Sequence, residues 1–212
     1  MVCPLLFTGD GGYTWTDTCG GGQTCYNTRA QVNGDTLKIY GSRSADDIGW
    51  IRGNSNGNVD LRHVSMVFAK DKFTVKNGNE SHLGLQETTG LFNALDEYFT
   101  QYSGDTPFLM AEAGKADGSQ KSPHKTHNLA RSVDFRYKDS AGGNIHNRKA
   151  SSIADKDRTQ AFINVSKKYG FDQNYKGAGM DDVGGAKEIS PSHNDHGHLG
   201  VSLGAWNSRH KK

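Results

Sequence analysis

The chain has 212 residues, enough for one sizeable domain or for one domain with an appendage. Apolar residues are only 33% and glycine occupies 27 positions, which predicts short elements and many loops, while 9% aromatics is enough to seed a core and argues against disorder. A net charge of +2, with no run of five basic residues, argues against a nucleic-acid partner, and no stretch nears the roughly 20 apolar residues of a membrane span.

The first segment, "MVCPLLFTGDGG", has no basic leader, and its apolar run is too short for a secretory signal. Cys19 and Cys25 flank "GGGQT", a flexible stretch that either closes a small disulfide loop or leaves two free thiols, and Cys3 is expected to be free. One close pair of cysteines does not make a zinc ribbon, which needs two. Residues 1 to about 35 are rich in Gly, Thr and Asn and read as loops with a hairpin.

"DTLKIYGS" and "IGWIRG" then read as short strands. In "DLRHVSMVFAKDKFTVKNG" the alternation of Val64, Met66 and Phe68, continued by Phe73 and Val75, predicts strand structure around a turn near Asp71. "TTGLFNALDEYFTQYSG" predicts the first long helix. Leu91, Leu95, Tyr98, Phe99 and Tyr102 form one apolar stripe, with Thr88 or Thr89 as the cap and Gly104 at the end.

"TPFLMAEAG" follows as a buried strand, "KADGSQKSPHKTHN" as a polar loop and "ARSVDFRY" as a second strand. A second helix is expected over residues 157 to 169, with Ala161, Phe162, Val165 and Tyr169 inward and Gly170 ending it. "HGHLGVSL" is the last expected strand, and there is no internal repeat.

Chemistry-bearing residues gather in two stretches about 60 residues apart. The first, "SPHKTHNLARSVDF", holds His124, His127 and Asp134, and the second, "HNDHGH", holds His193, Asp195, His196 and His198. On a strand, residues i and i+2 share a face, so His196 and His198 project into one site, one free to bind a metal while the other handles a proton. Two imidazoles and a carboxylate make a three-ligand zinc site with an open position, and His127 and Asp134 can supply what is missing. In "SVDF" Val133 and Phe135 take the face opposite to Asp134. His63, His82, His146 and His210 stand alone and read as solvated surface groups.

These motifs resemble the LAS group of zinc peptidases, named for lysostaphin, D-Ala-D-Ala peptidases and sonic hedgehog, which carry His-x6-Asp followed by His-x-His. His127 and Asp134 enclose six residues, and His196-Gly197-His198 supplies the second half. "PHKTHNLARSVDF" and "HNDHGH" are most similar to the two motifs of penicillin-insensitive murein endopeptidases. Thr126 replaces the usual Ser, Asn128 the usual Gln, and Ala130 the usual Gly, at a position where backbone freedom matters. The resemblance covers about residues 105 to 203; the N-terminal third matches no known pattern.

The resemblance implies one Zn²⁺ per chain held by His127, Asp134 and His198, with His196 catalytic. It also implies that His193 and His124 flank the site and that Asp195 orients an imidazole. Arg131 or Arg136 then either holds a substrate carboxylate or serves as a salt-bridge partner. The implied substrate is a peptidoglycan stem peptide, at the D-Ala to meso-diaminopimelate cross-link. Without a visible export signal, action in a bacterial periplasm or wall requires delivery by a secretion system or a phage, so an antibacterial effector or phage lytic enzyme is expected; an effector implies an immunity-protein partner. The competing expectations are a D,D-carboxypeptidase or dipeptidase on the same scaffold, and a non-catalytic zinc-containing wall-binding module.

The expected architecture is α+β: a small central antiparallel sheet carrying the zinc site in residues 76–212, flanked by a few helices and long loops. Residues 1–75 form a loop- and β-rich N-terminal region packed on it.

Overall fold

A computed structural model describes residues 5–8, 13–14, 28–33, 36–41, 47–52, 54–62, 71–76, 80–119 and 126–209, with the backbone alone described up to residue 52. The expected alternation at Val64, Met66 and Phe68, the three cysteines, and His63, His124 and His210 lie outside the described residues.

The chain is α+β. Its N-terminal strands are β1 (Leu5–Thr8), β2 (Tyr13–Thr14), β3 (Thr28–Asn33), β4 (Thr36–Gly41) and β5 (Asp47–Arg52). They form a five-stranded sheet in the order β2-β1-β5-β4-β3, with β1 parallel to β5 and the other pairs antiparallel. The β3–β4 register sets Ala30 opposite Ile39 and Val32 opposite Leu37. Strands β6 (Asn58–Asp60) and β8 (His82–Gly84) form a separate antiparallel pair.

A six-stranded sheet carries the C-terminal half. It contains β7 (Phe73–Val75), β9 (Phe108–Met110), β10 (Ser132–Phe135), β11 (Tyr175–Lys176), β12 (Lys187–Glu188) and β13 (Gly197–Gly200). The order is β12-β11-β13-β10-β9-β7. The expected antiparallel sheet is therefore mixed: its four central strands are antiparallel, but β7 pairs with β9 and β12 with β11 in parallel. Both parallel pairs are edge pairs.

Helix α1 (Leu85–Gln101) runs beside β3 and β4 and packs on α3 (Lys156–Lys168). It begins three residues before the expected Thr88, because Thr88 and Thr89 do not cap it. Their hydroxyls donate back to the carbonyls of Gly84 and Leu85, both at 2.9 Å, as they do inside a helix. Helix α3 starts as a capped helix should: the Asp155 side chain accepts from the Arg158 backbone N–H at 2.9 Å. Gly170, at φ +101°, follows its end. The short helices α2 (Ala150–Ile153) and α4 (Leu203–Arg209) complete the described set. Helix α4 corrects the expected terminal strand: β13 stops at Gly200, and Leu203 enters a helix whose start Ser202 helps set by accepting from the Ala205 N–H at 3.3 Å.

The core lies between the sheet and helices α1 and α3. Phe162 of α3 stacks on Phe108 of β9 at 4.2 Å and meets Phe135 of β10 edge-on at 5.0 Å, and Tyr98 of α1 closes on both Phe108 and Phe162. Each such ring, fully buried, contributes about 2–3 kcal/mol. Their packing fixes one face of β9 and β10 and so commits the other face.

Candidate metal centre

Strand β10 is buried along its whole length, although it alternates. Val133 and Phe135 enter the aromatic core, so Ser132 and Asp134 face the other side. The antiparallel register pairs Asp134 with His198 and Phe135 with Gly197. Gly197 has to be glycine, since a methyl group there would overlap the Phe135 ring. The fold thus delivers one carboxylate and one imidazole, from strands 64 residues apart in sequence, to the same spot.

His127 arrives on the loop before β10. Ser132 Oγ donates to the Thr126 carbonyl at 2.8 Å, and the Leu129 N–H donates to the Gly118 carbonyl at 2.7 Å. A 3₁₀ turn over Asn128–Ala130 then reverses the chain, with Leu129 at φ +59° and Ala130 at φ +49°. That left-handed backbone, which favours glycine, occurs at the position where the resembled family has Gly. Ala130 fits there because Gly114 faces it: a Cβ at residue 114 would lie 2.5 Å from Ala130 Cα and 2.9 Å from Ala130 Cβ.

The convergence is on the Asp134 carboxylate. Its Oδ1 meets His198 Nδ1 at 2.7 Å, and its Oδ2 meets His127 Nε2 at 3.3 Å and His196 Nε2 at 3.4 Å. Ligand atoms of His127, Asp134 and His198 all lie within 4.8 Å of one another, and all three residues are buried. His196 is more open, at 15% side-chain exposure, and Asp195 beside it reaches 36%. Among the described residues of the cluster, His196 and Asp195 are therefore the ones that reach solvent.

His196 precedes β13, so hydrogen bonds beyond the strand ladder hold it. Its Nδ1 meets Asp195 Oδ1 at 2.7 Å, while Asp195 Oδ2 accepts from Arg136 Nη1, also at 2.7 Å. His193 stands across the opening, its ring centroid 4.9 Å from that of His196 and 5.8 Å from that of His198. Its backbone carbonyl accepts from the buried Tyr137 hydroxyl at 3.0 Å, which in turn accepts from the Gly177 N–H at 2.9 Å. His124 lies outside the described residues. Arg131 is buried: it donates to Asn128 Oδ1 at 3.0 Å, to Gln173 Oε1 at 2.8 Å and to the Val201 carbonyl, and so braces the turn behind His127.

Charge is arranged to suit a cation. Burial opposes ionisation of Asp134, but the imidazoles of His127, His198 and His196 hold its carboxyl well below the usual range. Burial depresses His198, leaving the neutral imidazole that a metal requires. Burial opposes protonation of His127 too, but the Asp134 charge raises it. Burial also opposes protonation of His196, yet its hydrogen bond to Asp195 and the charge of Asp134 raise it. His193 is pulled down to about 4, mainly by burial and next by the neighbouring His196, so it is neutral at pH 7. A buried carboxylate facing neutral-capable imidazoles matches the nitrogen and oxygen donor set of zinc.

Two neighbours escape a reading of the sequence. Tyr175 of β11 stacks on the His198 ring at 5.0 Å and meets His193 at 5.4 Å, and its hydroxyl accepts from Gln173 Nε2 at 2.7 Å. Nothing in "DQNYKG" points to this role, because it follows from the pairing of Tyr175 with His198 across β11 and β13. Glu112 lies near enough for its charge to favour protonated His127. No protein-family model matches the chain, and no curated protein matches it.

Proposed function

We propose that the chain is a zinc-dependent peptidoglycan endopeptidase that hydrolyses stem-peptide cross-links, acting as an antibacterial effector or a phage lytic enzyme. One observation carries the proposal. His127, Asp134 and His198 converge as a buried donor set, while His196, a residue free of the strand ladder, faces the same carboxylate from the accessible side. The motif resemblance in residues 105–203 supplies the substrate class.

His127 Nε2, Asp134 and His198 Nδ1 would hold the zinc. When bound, the metal supplies Lewis acidity that polarises a peptide carbonyl and acidifies water. The remaining work falls to the protein. Asp195 fixes the Nδ1–H of His196, which leaves Nε2 as the proton acceptor during attack on the peptide bond. The same Nε2–H then returns its proton to the leaving amine. His193, half-buried and neutral, offers a ring N–H to the developing oxyanion. A mild net positive charge of +2 suits a substrate with several carboxylates.

Digestion of purified cross-linked muropeptide dimers by the zinc-loaded protein tests this. Monomers are expected, and their formation should stop with a chelator and resume with added zinc. Intact dimers with release of terminal D-Ala would overturn the endopeptidase assignment in favour of a carboxypeptidase.

A further inference from the structure

Arg136 sits one residue past β10, behind the Asp195 carboxylate as seen from His196. Its Nη1 donates to two atoms of Asp195, the side-chain Oδ2 at 2.7 Å and the backbone carbonyl at 2.6 Å. Asp195 Oδ1 is left for His196 Nδ1 at 2.7 Å. One cation thus fixes both the main chain and the side chain of the residue that holds the imidazole.

Arg136 is itself firmly placed. Its side chain is 11% exposed, and its backbone N–H donates to the Leu109 carbonyl of β9 at 2.9 Å. Asp195 has no such support, being 36% exposed and, like His196, outside β13. A half-exposed carboxylate with a single imidazole partner is free to swing between rotamers, and the imidazole would swing with it. Arg131, the other arginine of the motif, touches neither residue and bonds to Asn128, Gln173 and Val201.

We infer that Arg136 is a positioning residue: it clamps Asp195 so that His196 stays in the Nδ1–H tautomer, with a bare Nε2 turned toward the centre. A partly exposed ion pair contributes at most about 1 kcal/mol to stability, so its principal effect is on the geometry of His196. The catalytic consequence rests on the proposed peptidase role, but the tautomer consequence does not.

Two readouts on the zinc-loaded full chain test the inference. In long-range ¹H–¹⁵N imidazole spectra, with the His196 signal assigned by loss in His196→Gln, the wild type should show a single Nδ1–H tautomer. Arg136→Met should give mixed tautomers with one zinc still bound, and Arg136→Lys should restore part of the wild-type signal. On muropeptide dimers, Arg136→Met should lower kcat about 10–100-fold with KM within about twofold. The double variant Arg136→Met/Asp195→Asn should be no slower than Asp195→Asn alone.

An unchanged His196 tautomer in Arg136→Met, loss of its zinc, or a double variant slowed by the product of the single effects would each overturn the inference. Should Arg136→Met fail to fold, Arg136→Gln decides, with a mixed tautomer supporting the clamp and a wild-type spectrum overturning it. A wild-type protein inactive on muropeptides would overturn the peptidase proposal, while the spectra would still decide the role of Arg136.

Discussion

Asp134 and His198 face one another directly across the β10–β13 pair, with Oδ1 and Nδ1 2.7 Å apart. Side chains alternate along a strand, so a slip of one residue in this register would move one of them to the wrong face. The centre is therefore as exact as the hydrogen-bond ladder that carries it. Asp134→Asn should abolish stoichiometric zinc binding, with bound metal falling from about one equivalent to near none. Metal analysis of the purified variant checks this, and full retention of zinc would remove Asp134 from the ligand set.

His196 and His198 share one motif but should separate cleanly on mutation. His196→Ala should keep its zinc and lose about 10²–10⁴-fold in kcat, the range expected for a general base. His198→Ala should lose both zinc and activity. Paired metal analysis and muropeptide kinetics distinguish the two outcomes, and an active His196→Ala would end the assignment of His196.

Zinc should stabilise the fold, because the three donors come together only in the native state. At a free concentration 100 times Kd it adds about 2.7 kcal/mol. For a chain of this size that corresponds to a rise in Tm of roughly 5–10 °C. Melting with zinc and with chelator measures it, and equal midpoints would argue against a metal site.

The metal-free chain should weaken on acidification through the histidine range. Burial, and next the charge of His196, pull His193 down to about 4 in the folded chain from the ordinary value of 6.5, and burial depresses His198 as well. Between those pH values the unfolded chain binds protons that the folded chain refuses, so stability falls as pH drops from about 6.5 towards 4. Urea midpoints across this window should decline for the wild type. His193→Gln should decline less steeply, and an identical slope would show that His193 is not the group responsible.

The site was more legible than the fold around it. Strand alternation in "SVDF" sets Asp134 opposite Val133 and Phe135, as the aromatic core requires, whereas His196, expected to share a strand with His198, lies just before β13. The start of α1 at Leu85 differs from the cap expected at Thr88 or Thr89, because a threonine hydroxyl satisfies a helix carbonyl from within as readily as it caps an end. The parallel edge pairs and the Arg136–Asp195 bond were hidden for a common reason: each joins segments whose meeting depends on the complete fold. Tyr175 belongs with them, an aromatic residue in a polar stretch made relevant only by its partner strand.

Gly197 offers a test of the packing behind the centre. Because a methyl group would strike the Phe135 ring, Gly197→Ala should cost about 1–3 kcal/mol through displaced strands. Chemical denaturation gives the loss directly. A smaller loss with intact zinc binding would mean that Phe135 can move without disturbing Asp134.

The contact between Gly114 and Ala130 ties one position to the main chain of the other. Ala130 occupies a left-handed backbone conformation that costs an L-residue about 1–2 kcal/mol. A Cβ at residue 114 would lie 2.5 Å from Ala130 Cα and 2.9 Å from Ala130 Cβ, so it would strike the backbone as well as the methyl group. Glycine at 130 would remove the methyl group and leave the Cα where it is. Residue 114 is therefore held to glycine by the path of the turn that carries His127, whichever residue stands at 130, although the two lie sixteen residues apart.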